Sequence, residues 1–323
     1  AAALWLTIAS WMGWPVSTTH SIIGAIVGFA IVGIGVDAVN WSKIGTIVLS
    51  WIVSPLVGGT IAFLLMRSIQ KFILDTEIPF LNAKRYAPFY VFLVGFLISL
   101  VTLFKGLKHL DIELSILQSF ILAVIFGVFV AVIAHIIINR ISLKLGESIH
   151  DQFNQIEKIF GIMMIFSASA MAFAHGSNDV ANGIGPMAAI VSIVESGGEM
   201  AQKSSLPLWI LLIGGFGIVL GLSTLGYRVI QTIGKKITEL VPTRGFSAEL
   251  AAAATVVIAS RTGIPVSTTQ IAVGAVMGVG LARGIGALDL RVVGGIMMSW
   301  VITLPVGALL SIFFFFFFRG VFL

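Results

Sequence analysis

Ser17, Thr18 and Thr19 follow Pro15 and Val16 in a stretch that is otherwise apolar, and the same pentapeptide, Pro-Val-Ser-Thr-Thr, returns at Pro265–Thr269. The flanks repeat with it. Ile8-Ala9-Ser10, Gly13, Gly24 and Gly28 recur as Ile258-Ala259-Ser260, Gly263, Gly274 and Gly278, each 250 positions on (265 − 15). Proline suits the first position of a helix, and Ser or Thr suits its cap. Free backbone N–H groups and the positive helix end then point the same way as the hydroxyls, which makes an anion site. One copy is adequately explained as a capped, buried helix. An inverted pair is not, because two such helix mouths meeting at mid-membrane can surround one small oxyanion with donors. Ser17, Thr18, Thr19, Ser267, Thr268 and Thr269 are therefore candidate anion ligands.

His20 and Gln270 occupy matching positions just after the two motifs. Gln270 has an amide hydrogen to offer an anion; His20 does the same or packs inertly. Arg261 lies four residues before Pro265, where the first copy has Trp11 (261 − 250). It attracts an anion, pairs with Glu249 or lines a vestibule. Glu249 stands in an otherwise apolar helix start, where function and simple capping are equally good readings.

A second constellation runs His175-Gly176-Ser177-Asn178-Asp179-Val180-Ala181-Asn182-Gly183-Ile184-Gly185-Pro186. Asn178 and Asn182 are four apart and Asp179 and Asn182 three apart, so the three line one helical face. Gly176, Gly183 and Gly185 predict an interrupted, unwound segment with free carbonyls. A carboxylate, two amide oxygens and such carbonyls form a hard-oxygen set suited to Na⁺, with Ser177 beside it. An aspartate at membrane depth is costly unless it faces a cation or water; the bland alternative is an Asp–Asn network that fixes helix packing.

The elements that must hold these residues are transmembrane helices. The chain is 58% hydrophobic and only 10% charged, against about 25% charged in soluble domains. Its apolar runs are continuous and long enough for helices, whereas membrane strands need only ~9–11 alternating residues. Spans are expected at 43–67, 86–107, 115–139, 157–194, 206–234 and 289–318. The net charge of +5 is positive-inside charge in short loops rather than a nucleic-acid surface. There are no cysteines, hence no disulfides or thiol chemistry. Phe313–Phe318 reads as the lipid-facing end of the last span, anchored by Arg319.

Residues 1–36 and 246–286 behave differently. Each holds two apolar arms around its motif, too short to cross a core of ~30 Å with ease. A re-entrant hairpin fits: one arm enters, turns at the proline, and the other leaves on the same side. Loops 67–85, 140–158 and 235–244 carry Arg67, Lys71, Lys84, Arg85, Arg140, Lys144, Lys158, Lys235, Lys236 and Arg244, and so face the cytoplasm. The opposite loops carry Lys105 and Lys108 with Asp111 and Glu113, and Glu195 and Glu199 with Lys203. On that count the first hairpin enters from the outside and the second from the cytoplasm. The fold class is thus an all-α polytopic membrane protein, an inverted-repeat transporter with two re-entrant helical hairpins.

Enzymatic chemistry is disfavoured. Ser17 and His20 lack an orienting third group, and the second copy has Gln270 where the base would be. A channel is disfavoured because a pore does not need a cation set beside an anion set; coupled transport does.

GSNDVANGIGP together with duplicated PVSTT resembles the inorganic phosphate transporter (PiT) family, which includes sodium-phosphate symporters and proton- or metal-phosphate-coupled bacterial members. The likeness covers nearly the whole chain and the motif pair is specific. It implies inverted repeats, phosphate held between two hairpin tips by the six hydroxyl residues with Gln270 and Asp179, and Na⁺ sites at Asn-Asp motifs, here Asn178, Asp179 and Asn182. It also implies a homodimer in the plasma (inner) membrane and no cofactor. Such a family carries two Asn-Asp motifs and this chain has one. The other is expected at 178 − 250 = −72, so the chain is expected to lack an N-terminal part. On this reading residues 1–323 are one transporter domain, with 1–69 the remainder of repeat 1, 70–150 intervening and 151–323 repeat 2. The expected function is cation-coupled, Na⁺-driven symport of inorganic phosphate by alternating access. A proton-coupled phosphate or sulfate permease is the alternative, and an anion channel the more distant one.

Overall fold

The computed structural model describes residues 1–106, 114–141, 148–198, 207–262 and 266–322, without the side chains of 105, 106 and 260–262. Pro265, Gly263, the Arg261 side chain, Lys144 and the charged groups of residues 105–113 and 199–203 lie outside the described residues. All described regular structure is helical.

The first two helices are short. α1 spans Ala2–Met12 and α2 Thr18–Gly33. α1 ends because Gly13 adopts φ 73°, a left-handed cap that only glycine takes without strain. There is also little room for a side chain there: a Cβ would lie 3.2 Å from Thr232 Oγ1. α2 starts because the Ser17 hydroxyl accepts from the His20 N–H, 3.2 Å away. The second copy repeats this: α9 is Pro242–Thr262, α10 is Thr268–Ala282, and Ser267 caps α10 by accepting from the Gln270 N–H at 3.3 Å.

Among the described residues, six helical segments are long and apolar enough to cross a membrane: Trp41–Leu74, Pro79–Phe104, Ile116–Asn139, Ile149–Glu195, Leu208–Lys236 and Leu290–Phe322. They are built on α3 (Trp41–Ile69), α4 (Pro79–Val101), α5 (Ile116–Asn139), α6 (Ile149–Glu195), α7 (Leu208–Gly221) with α8 (Tyr227–Gln231), and α11 (Leu290–Phe322). Their faces expose Leu, Ile, Val and Phe along most of their length, as lipid contact requires. Phe313, Phe316, Phe317 and Phe318 are among the exposed residues.

One expectation is overturned. The segment carrying Asn178 and Asp179 is not interrupted: α6 runs unbroken for 47 residues through Gly176, Gly183, Gly185 and Pro186. A glycine inside a helix costs only about 1 kcal/mol, and packing of α6 on α4 and α9 outweighs it. Pro186 still withholds one N–H, from the Asn182 carbonyl four residues back. At ~1.5 Å per residue α6 is about 70 Å long, over twice the ~30 Å hydrocarbon core.

The outgoing arms of the two motifs cross over. α2 packs against α11, and α10 against α3. Glycines set both contacts. A Cβ on Gly24 or Gly28 would run into the backbone of Leu304 or Ala308, and one on Gly274 or Gly278 into that of Pro55 or Gly59. Small residues that let backbones approach are the usual device for joining helices in lipid. The base of α9 is fixed separately. Phe246 packs against Tyr90 and Phe160 at ring distances of 6.2 and 5.5 Å, and the Glu157 carboxylate accepts from the Thr243 N–H and hydroxyl, both at 2.9 Å.

Candidate functional site

The two hydroxyl clusters meet. The N-terminal ends of α2 and α10 are brought to the same point on α6, where Asp179 stands between them. Thr18 Oγ1 donates to Asp179 Oδ2 at 3.1 Å, and Thr268 Oγ1 donates to Oδ1, also at 3.1 Å. Asn182, one turn along α6, donates to Thr19 Oγ1 at 2.9 Å and to Thr18 Oγ1 at 3.3 Å. Asn178 Nδ2 donates to Asp179 Oδ1 at 3.1 Å. His175 Nε2 lies 2.8 Å from Oδ2 and donates, since an ionised carboxylate only accepts. The Asp179 side chain is 13% exposed, so this is a charge held at low solvation by converging donors rather than by an arginine or lysine.

Sequence order explains the convergence on α6. His175, Asn178, Asp179 and Asn182 fall within two turns at spacings of three and four, which stacks them on one face. Asn178 and Asn182 spend amide N–H groups on the carboxylate and the hydroxyls, while among the described hydrogen bonds no donor reaches either amide oxygen. Those two oxygens, the Asp179 oxygens and the Asn182 carbonyl released by Pro186 are the groups here able to take a hard cation. Ser177 turns its hydroxyl proton back to the Ala174 carbonyl at 2.9 Å. Thr18, Thr19 and Thr269 are half-buried, whereas Ser17, Ser267 and Thr268 are buried.

Other expected residues are placed elsewhere. His20 and Gln270 come two residues after Thr18 and Thr268, a rotation of about 200°, so they face away from Asp179. His20 instead packs its ring 5.0 Å from Trp51, and the Gln270 amide is fully buried with neither polar atom paired. Glu249 accepts from Ser167 Oγ at 3.1 Å. Ser167 lies twelve residues from Asp179 along α6, about 18 Å away, so Glu249 is not part of this cluster.

Two participants escaped the sequence. Nothing in the motif assigns His175 a role; its spacing of four to Asp179 is the available signal. Trp300 donates from its buried indole N–H to the Pro15 carbonyl at 2.9 Å, steadying the first turn between helices. No local pattern announces a bond across 285 residues.

The chain has clear relatives among known proteins. A family model described as the phosphate transporter family matches residues 1–311. A Haemophilus influenzae protein assigned as a phosphate permease is 48% identical over 322 residues, covering 100% of this chain and 76% of that protein. The chloroplastic inorganic phosphate transporter 2-1 of Arabidopsis thaliana is 40% identical, covering 97% of this chain and 56% of that protein. Among solved structures, a sodium-dependent phosphate transporter superimposes with a TM-score of 0.87 at 35% identity, covering 100% of this chain and 78% of that one. The helical membrane architecture, the matched family and these relatives agree: this is an integral membrane transporter of phosphate and not an enzyme, and the chain belongs to the phosphate transporter family.

Proposed function

We propose that the protein is a Na⁺-coupled phosphate symporter working by alternating access. In this reading α1–α2 and α9–α10 are inverted re-entrant hairpins, with residues 1–69 and 151–323 belonging to the two repeats and 70–150 between them. Phosphate lies between Ser17, Thr18 and Thr19 on one tip and Ser267, Thr268 and Thr269 on the other. Na⁺ is co-transported on Asp179 with the Asn178 and Asn182 oxygens and Ser177. The observation that carries the proposal is the shared carboxylate: Thr18 and Thr268, from opposite ends of the chain, both donate to Asp179. The name of the sodium-dependent structural relative supports the choice of cation. A homodimer in the plasma membrane belongs to the same proposal.

Coupling follows from competition for protons. The Asp179 oxygens and the phosphate oxygens are both acceptors and claim the same hydroxyl hydrogens. A cation on Asp179 satisfies the carboxylate and releases Thr18 and Thr268 to donate to phosphate. Without the cation, phosphate would sit beside an ionised carboxylate, and like charges at that range repel strongly in low dielectric. With Na⁺ on Asp179 a monovalent phosphate is enclosed with one net negative charge, and without it with two, so phosphate is occluded far more readily together with the cation.

Uptake of labelled phosphate by the full-length protein in liposomes tests this. An inward Na⁺ gradient should drive accumulation, and replacing Na⁺ with choline should remove it. Accumulation that ignores Na⁺ and follows a pH gradient would make the protein proton-coupled. Sulfate outcompeting phosphate would change the substrate, and unsaturable, gradient-bound flux would favour a channel.

A further inference from the structure

Arg228 is a charged residue inside a membrane-spanning segment and has no carboxylate partner; the ion pairs among the described residues are His175–Asp179 and Arg244–Glu239. It lies eight residues before Lys236, about 12 Å from the end of its span. An intramembrane arginine is retained where something specific holds it. Here its Nη1 donates to the Trp11 carbonyl at 2.6 Å and its Nε to the Tyr227 hydroxyl at 3.0 Å. Its guanidinium stands 5.7 Å from each of the Trp11 and Tyr227 ring centroids.

The carbonyl it takes is one that α1 cannot satisfy itself. The last carbonyls of a helix lack in-helix donors. Ala9 O receives the Trp14 N–H at 2.8 Å and Ser10 O the Gly13 N–H at 3.0 Å; Trp11 O receives Arg228. The next residue but one, Gly13, sits against the Arg228 carbonyl, 3.3 Å from where a Cβ would be. Trp11 is only seven residues from Thr18 (18 − 11), and Pro15 between them is held by Trp300. Two donors from two different spans thus hold the turn that aims the Thr18 hydroxyl. The segment carrying Arg228 is bounded by π-helical turns at Leu222–Gly226 and Thr232–Lys236, a rare geometry that often accompanies functional sites.

We propose that Arg228 is a positioning residue for the anion site. By pinning the Trp11 carbonyl it fixes the first hairpin tip, and thereby Thr18, in the geometry that receives phosphate. This rests on the site reading above but adds a residue that touches neither substrate nor Asp179.

The test is the apparent phosphate KM of full-length protein in liposomes for Arg228→Gln, Arg228→Lys, Thr18→Val and Thr268→Val, singly and combined. Arg228→Gln should raise KM about tenfold. Arg228→Lys, which keeps a donor and a charge, should recover part of that. In the Arg228→Gln background Thr18→Val should add little, because Thr18 is already misaimed, whereas Thr268→Val on the other tip should keep its full effect. A purely structural role would lower Vmax and leave the Thr18 and Thr268 effects equal and additive; that result, or an unchanged KM, overturns the proposal. Should Arg228→Gln not yield monodisperse protein, Arg228→Lys combined with Thr18→Val carries the same non-additivity. If Thr18→Val alone leaves KM unchanged, the phosphate-site reading fails and the aiming of Thr18 with it; if Thr18→Val raises KM and keeps its full effect in the Arg228→Gln background, only the Arg228 proposal fails.

Discussion

Thr18 and Thr268 stand 250 positions apart (268 − 18) and donate to opposite oxygens of one carboxylate, each at 3.1 Å. Neither hydroxyl has this geometry from its own helix. α2 is seated by its glycines on α11 and α10 by its glycines on α3, so the meeting point depends on two helix contacts far from Asp179. Donors aimed at a point between two helix ends are the arrangement that recognises an oxyanion.

Replacing Asp179 with Asn keeps the shape and removes the charge. Na⁺-stimulated phosphate uptake should fall to background. The variant should still fold, because the amide oxygen can accept from one threonine while the amide N–H donates to the hydroxyl oxygen of the other. A Na⁺ dependence left intact in Asp179→Asn would refute the cation role of this residue.

Thr18→Val and Thr268→Val each remove one hydroxyl with little change in volume. Loss of one buried hydrogen bond costs on the order of 1–3 kcal/mol, so each apparent KM should rise roughly 5- to 150-fold with Vmax less affected. The two tips should respond alike. A large effect from one and none from the other would mean that a single helix end binds the anion.

Gly274→Ala probes the crossed packing. Its methyl would meet the Pro55 backbone, which cannot step aside as a side chain can. Overpacking of this kind costs typically 1–3 kcal/mol. The variant should lose thermal stability in detergent, followed by size-exclusion recovery after heating. Gly45→Ala, where nothing lies within 4 Å, should be neutral. Equal recovery for the two would show that the α3–α10 contact does not need glycine.

Trp300→Phe retains the buried ring and removes the indole N–H that reaches the Pro15 carbonyl. That carbonyl would be left without its buried donor, so the first turn should loosen and phosphate KM rise several-fold, with Na⁺ dependence preserved. If phosphate KM is unmoved, this bond is irrelevant to the site.

Much of this is legible in the amino-acid sequence. Long apolar runs force helices because lipid offers no partner to an exposed backbone, and a hydroxyl pentapeptide after proline, seen twice, marks two helix starts through purely local capping chemistry. Spacings of three and four placed Asn178, Asp179 and Asn182 on one face for the same local reason. The continuity of α6 was not readable, since its three glycines and Pro186 signal a break and only packing against α4 and α9 keeps the helix going. Nor could residue types tell that Gln270 and His20 turn away from Asp179 while Thr18 and Thr268 turn toward it, because that depends on how each helix is rotated by its glycine contacts. The sequence alone determined which side chains are able to receive an anion and a cation; tertiary structure decided that Asp179 and two distant threonines occupy one place, because contacts between helices far apart in the chain leave no periodic trace within any one of them.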